Sequence, residues 1–470
     1  PEIIISDKDF ELAAEPKEIL QLSELFHKGL GKNVKYKLKI GEQEAFVFDR
    51  FFDYFIKFGI ALFDEQDIEI DECIMDNYID NIFRLFIKIS IGTLMFEMYL
   101  CKEQGLLVGN NEKEEYVYYN THFLGKKKYI NELFEIYPCL ERMIFESIFY
   151  LVNNYRDLLI RLKKDHNYLV EQLCNGKIFN KVVKMQSDIS DSHKRGKTVS
   201  VLTFDNDISV VYKPRSLKGE KAYQDFLLYV SQGSTLKTKT FKIIDCGNYG
   251  WEEFVESKPC VDMQQLRNYY YRFGVLIFQN YILNANDLHE ENVIAYGEYP
   301  IVIDAETIID NHIKLSEQNS REIINERIRD SVLFSGLLPH YRFSNKGKGI
   351  DMSAIMGKEG DEYPILIPRI VDIGTSNMHY EYVHPIKTAN NNLATLNGKF
   401  IAPAVFITEI DQGFRDAYQF IMEHKQETLE TTKIFENIMV RHLVQDTQRY
   451  SMILHTSYHP DFLQDGKDRE

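Results

Sequence analysis

Cysteine is scarce in this 470-residue sequence, and none of the six (Cys73, Cys101, Cys139, Cys174, Cys246, Cys260) stands in a C-x-x-C pair. That argues against a zinc knuckle or dithiol motif, so no zinc is expected and a reduced, cytoplasmic setting is the simplest expectation. Positive charge is also short: 55 Lys+Arg against 71 Asp+Glu leave a net charge of −16. A generic nucleic-acid binder needs basic surface to replace phosphate counterions, so no nucleic-acid partner is expected. Long apolar runs are missing. The most membrane-like stretch, 85–100, contains Lys88 and Glu97. It falls short of an uninterrupted span of about 20 apolar residues and reads as a buried helix rather than a membrane span. Residues 1–11 are acidic where a signal peptide would be basic. The common phosphate-binding signatures G-x-x-x-x-G-K-[ST] and G-x-G-x-x-G do not occur, nor does the zinc motif H-E-x-x-H.

What is present is a foldable chain, with 44% hydrophobic and 13% aromatic residues. At roughly 150 residues per domain, its length allows two to four domains. Apolar residues recur at helical spacing over 44–63, 81–101 and 130–162, the last broken near Tyr137-Pro138. The texture changes near Ser187. Short β-type runs follow at 198–204 and 208–212 around Asp205-Asn206-Asp207, then a helix at 217–232 and strands at 241–245 and 251–255. The pattern is helical over 263–285, hairpin-like over 293–303 with a turn at Gly297-Glu298, and expected to be mainly helical beyond Arg321. The plan is α+β: a helical N-terminal region (1–185), a β-rich lobe (186–262) and a helical lobe (263–470), with a cleft expected between the lobes.

The segment Asp287-Leu288-His289-Glu290-Glu291-Asn292 separates Asp from Asn by four residues. Protein-kinase catalytic loops share that spacing: Asp handles the acceptor hydroxyl and Asn holds magnesium. Twelve residues later, across the hairpin, comes Asp304. Asn292 and Asp304 therefore form a candidate Mg²⁺ pair, since hard oxygen ligands suit that ion. Upstream, Lys213 ends a β-type run and can neutralise nucleotide phosphates, with Arg215 beside it and Glu220 of the next helix as its helper. Read alone, Lys213 and Arg215 fit an exposed strand end better; together with Asp287, Asn292 and Asp304 the functional reading overtakes it. Asp191 and His193 face one side if their segment is extended; the bland alternative is a capping Asp-Ser followed by solvated basic residues. Arg441 and Thr447 lie in a helical pattern, where six residues span about 600° and place them on different faces.

Taken in order, these segments resemble the dehydratase domain of class II lanthipeptide synthetases, the LanM family. The matching stretches are Asp191-Ser192-His193-Lys194-Arg195-Gly196-Lys197, Val211-Tyr212-Lys213-Pro214-Arg215, Asp287 through Asn292 with its following hairpin, and Ile303-Asp304-Ala305-Glu306-Thr307. Further matches are Ser335-Gly336-Leu337-Leu338-Pro339, Gln412-Gly413-Phe414, Arg441 through Tyr450, and Ser457-Tyr458-His459-Pro460. The likeness runs from about Tyr118 to the end. One departure is Gln445, where many relatives have a second arginine.

The resemblance implies a two-lobed, lipid-kinase-like core. It further implies ATP- and Mg²⁺-dependent phosphorylation of Ser and Thr in a ribosomal precursor peptide, followed by elimination to dehydroalanine or dehydrobutyrine. Asp287, His289, Asn292 and Asp304 would then serve phosphorylation and magnesium binding, with Glu306 close by. Lys213 would contact phosphate in both steps. Asp191, His193, Arg441 and Thr447 match positions linked to elimination. His193 is the candidate base for the Cα proton, because a neutral imidazole acts near pH 7. The sequence stops soon after His459-Pro460, so ring closure is expected to need a cyclase domain in the full-length enzyme or in trans. Two other readings stay open: a simple kinase of a small molecule, lipid or protein, and an inactive scaffold that binds a leader peptide or a partner enzyme. A locally positive cleft around Lys213, Arg215 and Arg441 is expected, despite the acidic total.

Overall fold

The computed structural model describes residues 16–36, 47–64, 69–187, 195–310, 320–339, 341–343, 349–356, 360–388, 391–441 and 447–469. Contacts group the chain into two units. One comprises residues 1–208, 369–381 and 445–470; the other comprises 209–368 and 382–444.

The first unit is built on helices α1 (Pro16–His27), α2 (Asp49–Asp64), α3 (Glu72–Glu103), α4 (Glu112–Tyr118), α5 (Lys127–Ile136) and α6 (Pro138–Gln172). Aromatic residues spaced three and four apart on α2 form one buried stripe: Phe51, Phe55 and Phe58, with Phe52 alongside. Phe55 stacks on Phe26 of α1 at 5.0 Å and meets Phe86 of α3 at 5.8 Å. Each such ring contributes roughly 1.5–3 kcal/mol through burial. The α5–α6 break falls at Tyr137, because Pro138 suits a helix start but cannot continue the preceding turn. Tyr137 also satisfies the buried Glu97 of α3, donating from its hydroxyl at 2.6 Å. Near the end of the chain, Leu463 is fully buried in a short helix that packs against α6. Strands β1 (Val182–Gln186) and β2 (Ser200–Phe204) pair antiparallel, with Met185 opposite Leu202.

The second unit begins with β3 (Ser209–Lys213), α7 (Lys218–Val230), β4 (Ile243–Asp245) and β5 (Gly250–Glu253). The three strands pair antiparallel in the order β3-β5-β4. Helix α8 (Met263–Ile282) runs through the core, and α10 (Ile407–Glu423) crosses it closely. A Cβ on Gly413 would lie 1.9 Å from the Tyr271 carbonyl oxygen, and one on Gly274 would lie 2.0 Å from that of Ile410. Only glycine admits this backbone approach. Between these helices come the hairpin β6 (Val293–Tyr296) and β7 (Tyr299–Val302), then α9 (Ser320–Arg329).

Among the described residues, six short strands lie between residues 341 and 400, where the sequence pattern pointed mainly to helix. The reason is local composition: Ile365, Ile367, Ile370, Val371, Tyr380, Tyr382 and Val383 favour extended backbone. The molecule is therefore mixed α+β, mostly helical with small antiparallel sheets. Among the described residues, no helix is long and apolar enough to cross a membrane.

Candidate active site

Residues from β3, β5, α7 and the loops flanking β6–β7 meet in the second unit. Val211 pairs with Glu252 and Lys213 with Gly250. Side chains alternate along a strand, so Lys213 and Glu252 share one face on a diagonal. Both are buried, at 4% and 2% exposure. Lys213 Nζ lies 3.0 Å from Glu252 Oε2 and 3.9 Å from Glu220 Oε1, and donates to the Ile303 carbonyl at 2.7 Å. Burial opposes the charge on Lys213, but Glu252, Asp304 and Glu220 outweigh it and raise its pKa. Burial pushes the Glu252 carboxyl up to about 7, against the pull of Lys213. Glu252 Oε1 accepts no hydrogen bond among the described residues.

Arg215 bridges three carboxylates. Its guanidinium binds Glu220, reaches Asp304 Oδ1 at 2.9 Å, and sits 3.3 Å from Glu306 Oε2. Arg441 approaches from the other side, its Nη1 2.5 Å from Glu306 Oε1 and its backbone N–H donating to the Glu306 carbonyl at 2.8 Å. Burial works against ionisation of Asp304, but Lys213, Arg215 and the Glu306 N–H hold its carboxyl below the usual range.

Asp287 opens the loop before β6 with φ +62°, in the left-handed region that a non-glycine residue seldom occupies. Its backbone carbonyl accepts from Asn292 Nδ2 at 2.7 Å, and its Oδ1 lies 3.8 Å from His289 Nε2. Burial raises the Asp287 pKa; His289 and Arg441 oppose that shift, and Asp304 and Glu306 reinforce it. A carboxylate so placed is a better proton acceptor near neutrality than an exposed one.

The donor atoms fit magnesium in kind. Asn292 commits its amide nitrogen to Asp287, leaving Oδ1 as a ligand oxygen. Arg215 and the Glu306 N–H both end on Asp304 Oδ1, leaving Oδ2. Two hard oxygens suit Mg²⁺, with the remaining positions filled by water and phosphate.

Residues 137–470 match the family described as a domain of unknown function, DUF4135. The chain belongs to that family. The match takes in every residue of the cluster. A curated relative of the DUF4135 chain is the lacticin 481/lactococcin biosynthesis protein LcnDR2 of Lactococcus lactis subsp. lactis. The two are 30% identical over 432 residues, covering 86% of this chain and 45% of the relative. The chain thus spans less than half the length of that protein.

Of the residues singled out from sequence, the structure brings together Lys213, Arg215, Glu220, Asp287, His289, Asn292, Asp304, Glu306 and Arg441. Asp191 and His193 lie outside the described residues, and Thr447 is described only as the backbone start of the helix Thr447–Thr456. Arg441 precedes that helix instead of riding on it, so the helical-face argument separating it from Thr447 does not apply. Glu220 does lie within ion-pair distance of Lys213, at 3.9 Å, but it is not the nearest carboxylate. Glu252 is nearer, and Glu220 is taken by Arg215. Sequence reading missed Glu252, although a charged residue inside the β-type run 251–255 was the available signal. The expected positive cleft also needs correcting: among the described residues, Asp287, Glu220, Glu252, Asp304 and Glu306 surround three cations. The locality is acidic because Lys213, Arg215 and Arg441 are each paired with carboxylates.

Proposed function

We propose that this chain carries the dehydrating activity of a lanthipeptide synthetase, acting with ATP and Mg²⁺ on Ser and Thr of a ribosomally made precursor peptide. The observation that carries the reading is the meeting of Asp287, Asn292 and Asp304 with the buried Lys213 and with Arg441. The relative's role in lacticin biosynthesis points the same way. Mg²⁺ would supply charge neutralisation to the nucleotide phosphates, held by Asn292 and Asp304. Asp287 accepts the proton of the peptide hydroxyl as its oxygen attacks the terminal phosphorus, releasing ADP. Lys213 offsets charge on the phosphates.

Elimination then removes the Cα proton and breaks the Cβ–O bond, so that phosphate leaves with the bonding pair and a dehydro residue remains. His193 is the proposed base, and Asp191 and Thr447 are proposed to assist the elimination. Arg441 receives the leaving phosphate, for which its planar fork of donors is suited. A cyclase, in the longer protein or in trans, would add cysteine thiols to the alkenes.

Mass spectrometry of precursor peptide after incubation of the full-length protein with Mg-ATP tests the reading. Loss of one water per modified residue is expected. A phosphoryl gain that never converts would overturn it and favour a simple kinase, the second reading. That alternative draws on the clustering of the phosphorylation residues in the second unit. Arg441→Ala separates the two: accumulated phosphopeptide is expected for the dehydratase, and unchanged phosphorylation for the kinase.

A further inference from the structure

Glu290 lies inside the Asp287–Asn292 loop, yet the chemistry above gives it nothing to do. Its side chain is 1% exposed and ion-pairs with the ammonium of Lys387, itself 2% exposed. The same ammonium donates to the Asp351 carbonyl at 2.6 Å. The backbone of Lys387 is anchored both ways, its N–H donating to the Asp361 carbonyl and its carbonyl accepting from Gly360.

The loop is gripped on two sides. Leu288 N–H donates to the Ser335 carbonyl at 2.9 Å, and Glu290 N–H to the Met352 carbonyl at 3.0 Å. His289 forms an antiparallel bridge with Ser353. On the far flanks, Ala354 and Ile355 donate to the Gly336 and Leu337 carbonyls. The loop thus runs between residues 335–337 and 351–355, and Lys387 joins Glu290 to the second of these. Asp287 keeps its left-handed backbone only while its surroundings hold it there. Chains of backbone bonds leave a strand-like segment free to slip; a directional buried ion pair specifies one register.

We propose that Lys387 is a positioning residue, whose buried ammonium locks the 287–292 loop against residues 351–353 and so sets Asp287 and Asn292 for phosphoryl transfer. The proposal rests on the phosphorylation reading above. It gives a role to a lysine far downstream in sequence, with no contact to the proposed reacting atoms.

The test uses the full-length protein as Lys387→Met, Lys387→Arg and the double variant Glu290→Met/Lys387→Met, which removes both charges and guards against misfolding from one buried unpaired carboxylate. Three quantities are read: kcat and KM for Mg-ATP in peptide phosphorylation, amide exchange of a peptide spanning 287–292, and Tm. For Lys387→Met, kcat should fall by at least about tenfold with KM changed by less than about twofold. Amide exchange at 287–292 should accelerate in both Met variants, and Lys387→Arg should recover part of kcat. Unchanged exchange in the loop, or a kcat loss that merely follows the unfolded fraction, overturns the proposal. If the wild-type protein phosphorylates no peptide, the reading of function fails separately, and the exchange measurement alone decides whether Lys387 holds the loop.

Discussion

Lys213 and Glu252 share a buried face, 3.0 Å apart. The Glu252 carboxyl is raised from an ordinary 4.5 to about 7, so the folded protein holds more protons than the unfolded chain between those values. Stability rises with pH only where the unfolded state binds more protons, so this group makes stability fall as pH climbs through that window. Its slope approaches about 1.4 kcal/mol per pH unit where the proton counts differ by one. The wild-type stability curve, measured by urea titration, should therefore fall relative to that of Glu252→Gln from about pH 4.5 to pH 7. A constant offset would refute the assignment. At Tyr137, replacement by Phe strips the buried Glu97 of a 2.6 Å donor, and about 1–3 kcal/mol should be lost in the same assay. Neither partner was legible from sequence. Glu97 read only as an interruption of an apolar run, and Glu252 passed unremarked inside the strand 251–255, because pairing across tens of residues leaves no local mark.

Elements were easier to read than contacts. Helical spacing located α2, α3 and α8, Tyr137-Pro138 located the α5–α6 break, and Gly297-Glu298 located the β6–β7 turn, since each follows from backbone preference alone. The strands between 341 and 400 were missed because they are too short for period-two alternation to register against a helical reading. The α8–α10 crossing depends on two glycines with no sequence signal beyond Gln412-Gly413-Phe414. Gly413→Ala should cost at least about 1–3 kcal/mol, because the added methyl meets a backbone carbonyl that cannot rotate away. Gly360→Ala, where a Cβ meets nothing within 4 Å but φ is +89°, separates backbone strain from crowding. Denaturation midpoints of the two variants check the order, with Gly413→Ala expected to lose more.

The whole molecule carries net charge −16, and its candidate site adds a local excess of carboxylates. ATP without a cation should therefore bind at least about tenfold more weakly than Mg-ATP, and added monovalent salt should strengthen the cation-free binding by screening repulsion. Calorimetry with and without chelator measures both effects; salt weakening the cation-free binding would contradict the electrostatic account. The placement of Leu463 has a consequence for synthesis on the ribosome. Residues 1–208 share a unit with 369–381 and with the segment that buries Leu463 against α6, so the packing of that unit is completed only when residues near 463 have emerged. The unit begun second, 209–368 with 382–444, is complete in sequence first. Until the Leu463 segment arrives, the α6 surface that covers Leu463 stays open to solvent, and there a chaperone would act during synthesis.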